Sequence, residues 1–123
     1  MDLEKIMSFK NFVVVGNTLD HSKYAYVIKN NLELNGYNVQ AVGKELNSIN
    51  DVKGDIDILD LCIHPAKGIG LLKENNKKIK CVLIQPGAES DEIKEYLKSQ
   101  GIDYLEGCAL IGLRLYKNAN IIE

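Results

Sequence analysis

The chain has 123 residues, of which 46% are hydrophobic and 26% are charged, and its formal net charge is −2. These values are typical of one globular domain, which we expect to cover residues 1–123. A general nucleic-acid binder would carry an excess of basic residues, and this chain has none. No apolar run approaches the roughly 18 residues that a membrane-spanning helix needs, so we expect no membrane partner.

Helical and strand patterns alternate along the first half of the chain. The stretch "NFVVVG" is a continuous apolar run that ends in glycine, which is typical of a strand buried on both faces. Helical spacing follows from Tyr24 to Leu32, and Gly36 ends that helix. The predicted elements of this half are a short amphipathic helix in residues 2–10, a strand over 11–16, the helix that starts near residue 24, and a strand over 37–42.

The same alternation continues in the second half. Residues 43–56 look irregular, with one helical turn at 49–52. Ser90 and Gly101 have the positions of a helix N-cap and a C-terminal stop. The predicted elements of this half are strands over 56–63, 80–85 and 102–107, a helix over 66–76, and a helix between Ser90 and Gly101. The tail from Cys108 onward has no clear assignment.

The three cysteines indicate the compartment. Cys62, Cys81 and Cys108 are widely spaced and form no CxxC pair, which argues against a disulfide framework and against a structural zinc site. No secretory signal opens the sequence. We therefore predict a cytoplasmic protein in a reducing setting, without a bound metal.

The alternation of strands and helices predicts βαβ units and a doubly wound, parallel α/β domain. Ligands of such domains bind at the carboxyl ends of the strands, so the turns after the strands are the candidate site. We find no paired carboxylates and no Ser/His/Asp arrangement, and we predict no catalytic residue.

The turn after the first strand has the outline of a phosphate site. Gly16 permits a tight turn, and Asn17 and Thr18 offer short polar groups. The stretch lacks both GxGxxG and GxxxxGK[ST], which disfavours a standard NAD site and a P-loop. Two interpretations stay open: a pyrophosphate cradle, or a plain strand-to-helix turn.

The start of the following helix supports the cradle. Ser22 or Asp20 could cap it, and its free amide groups would attract an anion. Lys23 lies in the first turn, where a cation is normally unfavourable unless a phosphate is near. Tyr24 follows, and Tyr24 or Tyr26 must face outward or toward the crevice.

The end of the second strand selects among nucleotides. A Rossmann NAD site needs an acid here to bond the ribose, but Gly43 and Lys44 occupy that position and Glu45 comes late. A lysine suits a phosphorylated ribose, as in NADP or coenzyme A. The alternative is a solvated loop lysine.

These pieces together resemble the small single-domain bacterial CoA-binding protein family, whose fold is similar to the CoA-binding domain of succinyl-CoA synthetase alpha subunits. The resemblance covers roughly residues 9–116 and depends on "VVVGNT", "SKYAYVIKNNLELNGYNVQAV", "DILDLCIHPAKGIGLL" and "VLIQPGAESDEIKEYLKSQGIDYLEGCAL". It implies a Rossmann-like, three-layer αβα fold of about five strands in the order 3-2-1-4-5. It also implies coenzyme A along the carboxyl edge of the sheet.

The resemblance assigns site residues to three parts of the ligand. The implied diphosphate contacts are Gly16, Asn17, Thr18 and Lys23. The sequence of the turn itself adds Ser22 and Tyr24 as candidate binding residues. The adenosine 3′-phosphate end would lie near Val42, Gly43 and Lys44. Ile63, His64 and Pro65 would wall the adenine or pantetheine. Apart from the resemblance, we expect Gln85 to begin a rigid turn with Pro86 and Gly87 at the ligand edge.

The favoured function is a non-catalytic module that binds CoA or acyl-CoA as a carrier, sensor or regulator, alone or with a protein partner or a second copy. An NADP-binding redox module and a partner-dependent half of an acyl-CoA ligase are the alternatives, because fold does not determine function. Cys108 could form a mixed disulfide with the CoA thiol, or could simply pack in the interior. His21 and His64 are expected to be surface or ligand-adjacent residues.

Overall fold

A computed structural model describes residues 1–116. Its strands are β1 (Asn11–Gly16), β2 (Asn38–Gly43), β3 (Ile56–Leu61), β4 (Ile79–Ile84) and β5 (Asp103–Glu106). Its helices are α1 (Leu3–Met7), α2 (Tyr24–Leu34), α3 (Pro65–Glu74), α4 (Asp91–Ser99) and α5 (Ala109–Tyr116), with a 3-10 turn at Ile49–Asp51. Every predicted helix and strand is therefore present. Part of the unassigned tail forms α5, and residues 117–123 lie outside the described residues.

All five strands are parallel, and their order is β2-β1-β3-β4-β5. The doubly wound α/β class is confirmed, but the expected order 3-2-1-4-5 is wrong because β3 pairs with β1 and not with β2. The two orders differ in which face of the sheet the connection between β2 and β3 crosses.

That connection lies on the face opposite α2. Its residues Ile49 and Val52 pack with Val13 of β1, whereas Ile28 of α2 packs with Val14. Crossovers between parallel strands are right-handed, so connections on opposite faces lead in opposite directions along the sheet. The chain therefore moves from β1 to β2 in one direction and returns past β1 to place β3 on its other side.

The expected three layers are present. One face of the sheet packs against the 3-10 turn, α3 and α4, and the other face packs against α1, α2 and α5. Ser90 caps α4 as predicted, because its side chain accepts a hydrogen bond from the Ile93 amide. No helix within residues 1–116 is long and apolar enough to cross a membrane.

Candidate functional site

At the carboxyl edge of the sheet, the last paired residues of the five strands form a row, and most of them are glycines without a side chain. The parallel ladder extends past the strands, since the Cys62 amide donates to the Val15 carbonyl at 2.8 Å and the Gln85 amide donates to the Leu61 carbonyl at 3.0 Å. In the order of the strands the row is Gly43, Gly16, Cys62, Gln85 and Gly107. Three of these five residues are glycines, so a ligand can approach the backbone closely.

Two of these glycines are required by their neighbours. A Cβ at Gly16 would lie 2.8 Å from the Cβ of Ala25 and still closer to the carbonyl oxygen of Cys62. Gly43 has φ +128°, and a Cβ there would lie 2.8 Å from the Gly16 carbonyl oxygen. Glycine at position 16 therefore brings the start of α2 against the end of β1, directly beside the candidate site.

A crevice follows this edge and consists of two adjoining cavities. The β2-side cavity has a volume of about 630 Å³ and lies between the ends of β1 and β2 and one side of α3. The β4-side cavity has a volume of about 340 Å³ and lies between the start of α2, the end of β3 and the turn after β4. Asn17 and Ile63 line both cavities, so one extended ligand can occupy the two together.

The crevice brings together eight of the thirteen residues predicted for the site. The β2-side cavity contains Gly16, Asn17, Gly43, Lys44 and Ile63, and the β4-side cavity contains Asn17, Lys23, Tyr24, Ile63 and His64. The other five predicted residues line neither cavity: Thr18, Ser22, Val42, Pro65 and Gln85.

Thr18 joins two loops. It is buried, and its hydroxyl donates to the carboxylate of Glu45 in the loop after β2. Lys29 of α2 completes the group, with its Nζ 3.2 Å from Glu45 Oε2. The Thr18 hydrogen bond, and then Lys29, hold the pKa of the Glu45 carboxyl below its ordinary value. We call these residues the Thr18–Glu45–Lys29 network.

Ser22 and Asp20 do not cap α2, which corrects the sequence-based expectation. The Asp20 carboxylate accepts from both the amide and the hydroxyl of Ser22, and these bonds lower its pKa. The N-cap residue is Lys23, and no side chain bonds the first-turn amides. The start of this 11-residue helix therefore presents free donors beside Tyr24 and Ala25, which line the β4-side cavity.

Asn17 lies between the two cavities. Its Oδ1 accepts from the amides of Leu19 and Asp20 at 3.2 and 3.3 Å, an Asx turn that shapes the loop before α2. With the oxygen used in this way, the Nδ2 amide remains as a donor for a ligand.

With this geometry established, comparison with known proteins identifies the family. The family model described as a CoA binding domain matches residues 10–114. The chain belongs to this CoA-binding domain family. Membership supports binding of coenzyme A in general. No match was found among curated proteins.

Solved structures of similar proteins support the fold of the CoA-binding domain. A conserved hypothetical protein from Pyrococcus furiosus is 26% identical, with a TM-score of 0.77, 84% of this chain covered and 98% of that one. A hypothetical protein from Pyrococcus horikoshii is 18% identical, with a TM-score of 0.81 and coverages of 96% and 94%. A Thermus thermophilus protein is 20% identical, with a TM-score of 0.76 and coverages of 93% and 98%.

The start of α3 adds a cation to the crevice of this CoA-binding domain. His64 is the N-cap residue, and its Nδ1 accepts from the Ala66 amide at 3.1 Å, so the proton of the neutral ring lies on Nε2. Pro65 occupies the first helical turn. Lys67 lies in the same turn and, like Lys44, lines the β2-side cavity. Sequence reasoning missed Lys67, although a cation at a helix start was the signal that had singled out Lys23.

Gln85 and Val42 are buried and stabilise the fold. The Gln85 side chain is buried, and its Oε1 accepts from the Ala109 amide at 2.7 Å, which secures the start of α5. Val42 lies in the hydrophobic core with no exposed surface. Cys108 lines neither cavity, so its disulfide with a CoA thiol stays a prediction.

Beneath the crevice lies an acid without a partner. Asp60 of β3 is fully buried, and its carboxyl forms no hydrogen bond within the described residues. Burial raises its pKa to about 8. Cys62, two residues later, lines the β4-side cavity, and burial followed by the nearby Asp60 raises its pKa to about 12. Cys62 is therefore a neutral thiol and a poor nucleophile at physiological pH.

Proposed function

We propose that this domain binds coenzyme A across the carboxyl edge of the sheet, with the adenosine 3′-phosphate in the β2-side cavity and the pantetheine arm in the β4-side cavity. The observation that carries this assignment is a pair of lysines, Lys44 and Lys67, which line the β2-side cavity from two different elements. Neither forms a salt bridge within residues 1–116, although Glu74 lines the same cavity.

The diphosphate would lie between the two cavities. The uncapped start of α2 offers amide donors and the positive end of its dipole, which is the usual environment of a bound phosphate. Lys23 and the Asn17 amide line the β4-side cavity beside this helix start. Cationic and donor groups thus line both cavities, with Lys44 and Lys67 in one and Lys23 in the other, which suits the charged half of a CoA molecule.

The rest of the β4-side cavity suits an uncharged arm. Ala25, Ile63, Pro86 and Ala88 supply apolar surface, and Cys62 adds a neutral thiol. A pantetheine chain, with or without a small acyl group, has matching chemistry.

We propose a non-catalytic role, as a carrier, sensor or regulatory module. The two groups of the crevice with the greatest chemical reactivity are both restrained: His64 Nδ1 is occupied by the Ala66 amide, and burial keeps Cys62 protonated. As half of an acyl-CoA ligase, the domain would need a partner chain to supply the reacting group. An NADP-binding module is the second candidate, because the same two lysines could receive its 2′-phosphate.

Calorimetric titration with CoA, 3′-dephospho-CoA, NADPH and NADH tests this proposal. We expect CoA to bind, and dephospho-CoA to bind about tenfold more weakly because it lacks the charge that the two lysines meet. Clear heat with NADPH and none with CoA would refute CoA as the ligand.

Lysine variants test the assignment of the phosphate. Lys44→Ala and Lys67→Ala should each reduce the preference for CoA over dephospho-CoA by about three- to tenfold. Lys78→Ala is the matched control, because Lys78 is exposed at the opposite edge of the sheet and forms no salt bridge within the described residues. A preference that survives in both crevice variants would mean that Lys44 and Lys67 are only surface lysines.

A further inference from the structure

Lys44 and Glu45 are adjacent in sequence and opposite in charge, yet within the described residues they form no salt bridge with each other. Lys44 lines the β2-side cavity and forms no salt bridge within residues 1–116. Glu45 instead belongs to the Thr18–Glu45–Lys29 network. An exposed lysine beside a glutamate would ordinarily lose part of its attraction for an anion, and here the glutamate is engaged elsewhere.

Two independent groups hold the Glu45 carboxylate. The Thr18 hydroxyl bonds Oε2 from the loop after β1, where Thr18 is only 4% exposed and therefore cannot easily move. Lys29 approaches from α2, with Nζ 3.2 Å from Oε2 and 3.4 Å from Oε1. Both oxygens have a partner, and a cation neutralises the charge locally. The lowered pKa of Glu45 agrees with this arrangement.

We infer that the Thr18–Glu45–Lys29 network determines the preference of this site for a phosphorylated ribose. By holding and neutralising Glu45, it leaves the charge of Lys44 free for the ligand phosphate. Without Lys29, the carboxylate would pair with Lys44 or repel the phosphate, because charges a few ångströms apart near a surface interact strongly enough to change affinity. Lys29 and Thr18 are then positioning residues that act through Glu45. This inference depends on the proposed CoA function.

A double-mutant cycle of Lys29 and Glu45 tests the network, with the ratio of dephospho-CoA to CoA dissociation constants as the measured quantity. Lys29→Met should lower this ratio about fivefold, with dephospho-CoA affinity changed less than about twofold. Glu45→Gln alone should leave the ratio within about twofold, because Lys29, which loses its partner, lines neither cavity, while Lys44 keeps its charge for the ligand. The double variant K29M/E45Q should restore the wild-type ratio.

The cycle separates this inference from a general charge effect. If K29M lowers the ratio and E45Q raises it by the same factor, the two effects are additive, long-range charge explains them, and the inference is overturned. A wild-type ratio preserved in K29M also overturns it. Wild-type protein that binds no CoA would instead refute the proposed function itself, and this inference with it.

Thr18 variants give a second test that does not change the charge. Thr18→Ser keeps the hydroxyl that donates to Glu45 and should keep the ratio. Thr18→Val keeps the shape but removes the donor, and it should lower the ratio about threefold. Thermal unfolding and dephospho-CoA affinity report whether each variant is folded. Equal ratios in folded Thr18→Ser and Thr18→Val would contradict a positioning role.

Discussion

Asp60→Asn should make the domain more stable in alkaline solution and remove a large pH dependence. The Asp60 carboxyl is fully buried without a hydrogen-bond partner, and burial raises its pKa from 3.8 to about 8. The folded state therefore holds a proton that the unfolded chain releases, and stability falls as the pH rises from about 4 through 8. Across this pH range the folded state loses about 1.4 kcal/mol of stability for each pH unit, which reaches about 6 kcal/mol in all. This is comparable to the whole stability of many domains.

Urea unfolding of the wild type and of Asp60→Asn, measured by circular dichroism between pH 4.5 and 9, provides the assay. The difference in unfolding free energy should grow in favour of the variant by up to about 1.4 kcal/mol per pH unit. Asp57→Asn is the control on the same strand. Although burial raises its pKa, hydrogen bonds from Lys80 and the Asn11 amide lower it overall, so this variant should lose stability at neutral pH. Parallel pH curves for the wild type and Asp60→Asn would refute the reasoning.

Three further predictions follow from the packing of the same edge. Gly16→Ala forces a Cβ against Ala25 and should cost about 1–3 kcal/mol in urea unfolding, whereas Gly70→Ala, which meets open space within a helix, should stabilise by about 1 kcal/mol. Iodoacetamide should modify Cys62 far more slowly than a free cysteine peptide at pH 8. The pKa of Cys62, about 12, leaves about one thiol in ten thousand as thiolate at this pH. Equal rates of modification, measured by mass spectrometry, would contradict this prediction. Gln85→Leu removes the acceptor of the Ala109 amide and should speed hydrogen exchange at the start of α5, whereas Gln85→Glu should not.

The elements were predictable because each has a local signal. Continuous apolar runs marked strands that are buried on both faces, and Ser90 marked the start of α4 through a hydrogen bond that the structure contains. The strand order had no such signal. The orders 3-2-1-4-5 and 2-1-3-4-5 use the same elements, and the choice depends on whether Ile49 and Val52 pack on the face of α2 or on the opposite face.

Site residues that directly follow a strand could be predicted from the sequence. The roles of residues that bond to a distant part of the chain could not. Gly16, Asn17 and Lys44 come directly after strands, and the crevice contains all three. Thr18 looked equivalent to Asn17 in the sequence, but its hydroxyl is committed to a glutamate 27 residues away. No local pattern predicts such a bond, because it depends on how two loops meet after the sheet has formed.

Two of the three lysines that line the crevice, Lys23 and Lys67, share a feature that can be recognised in the sequence. A cation at a helix start opposes the helix dipole, at a cost of about 0.3–1 kcal/mol, and Lys23 and Lys67 both have that position. Lys73 lies in the last turn of α3, where a cation is favourable, and forms a salt bridge with Glu92. Both lysines oppose a helix dipole, and both helices start at the same edge of the sheet. A bound anion would make both positions favourable. Loss of affinity for CoA in Lys67→Ala would therefore support the same reasoning that first drew attention to Lys23.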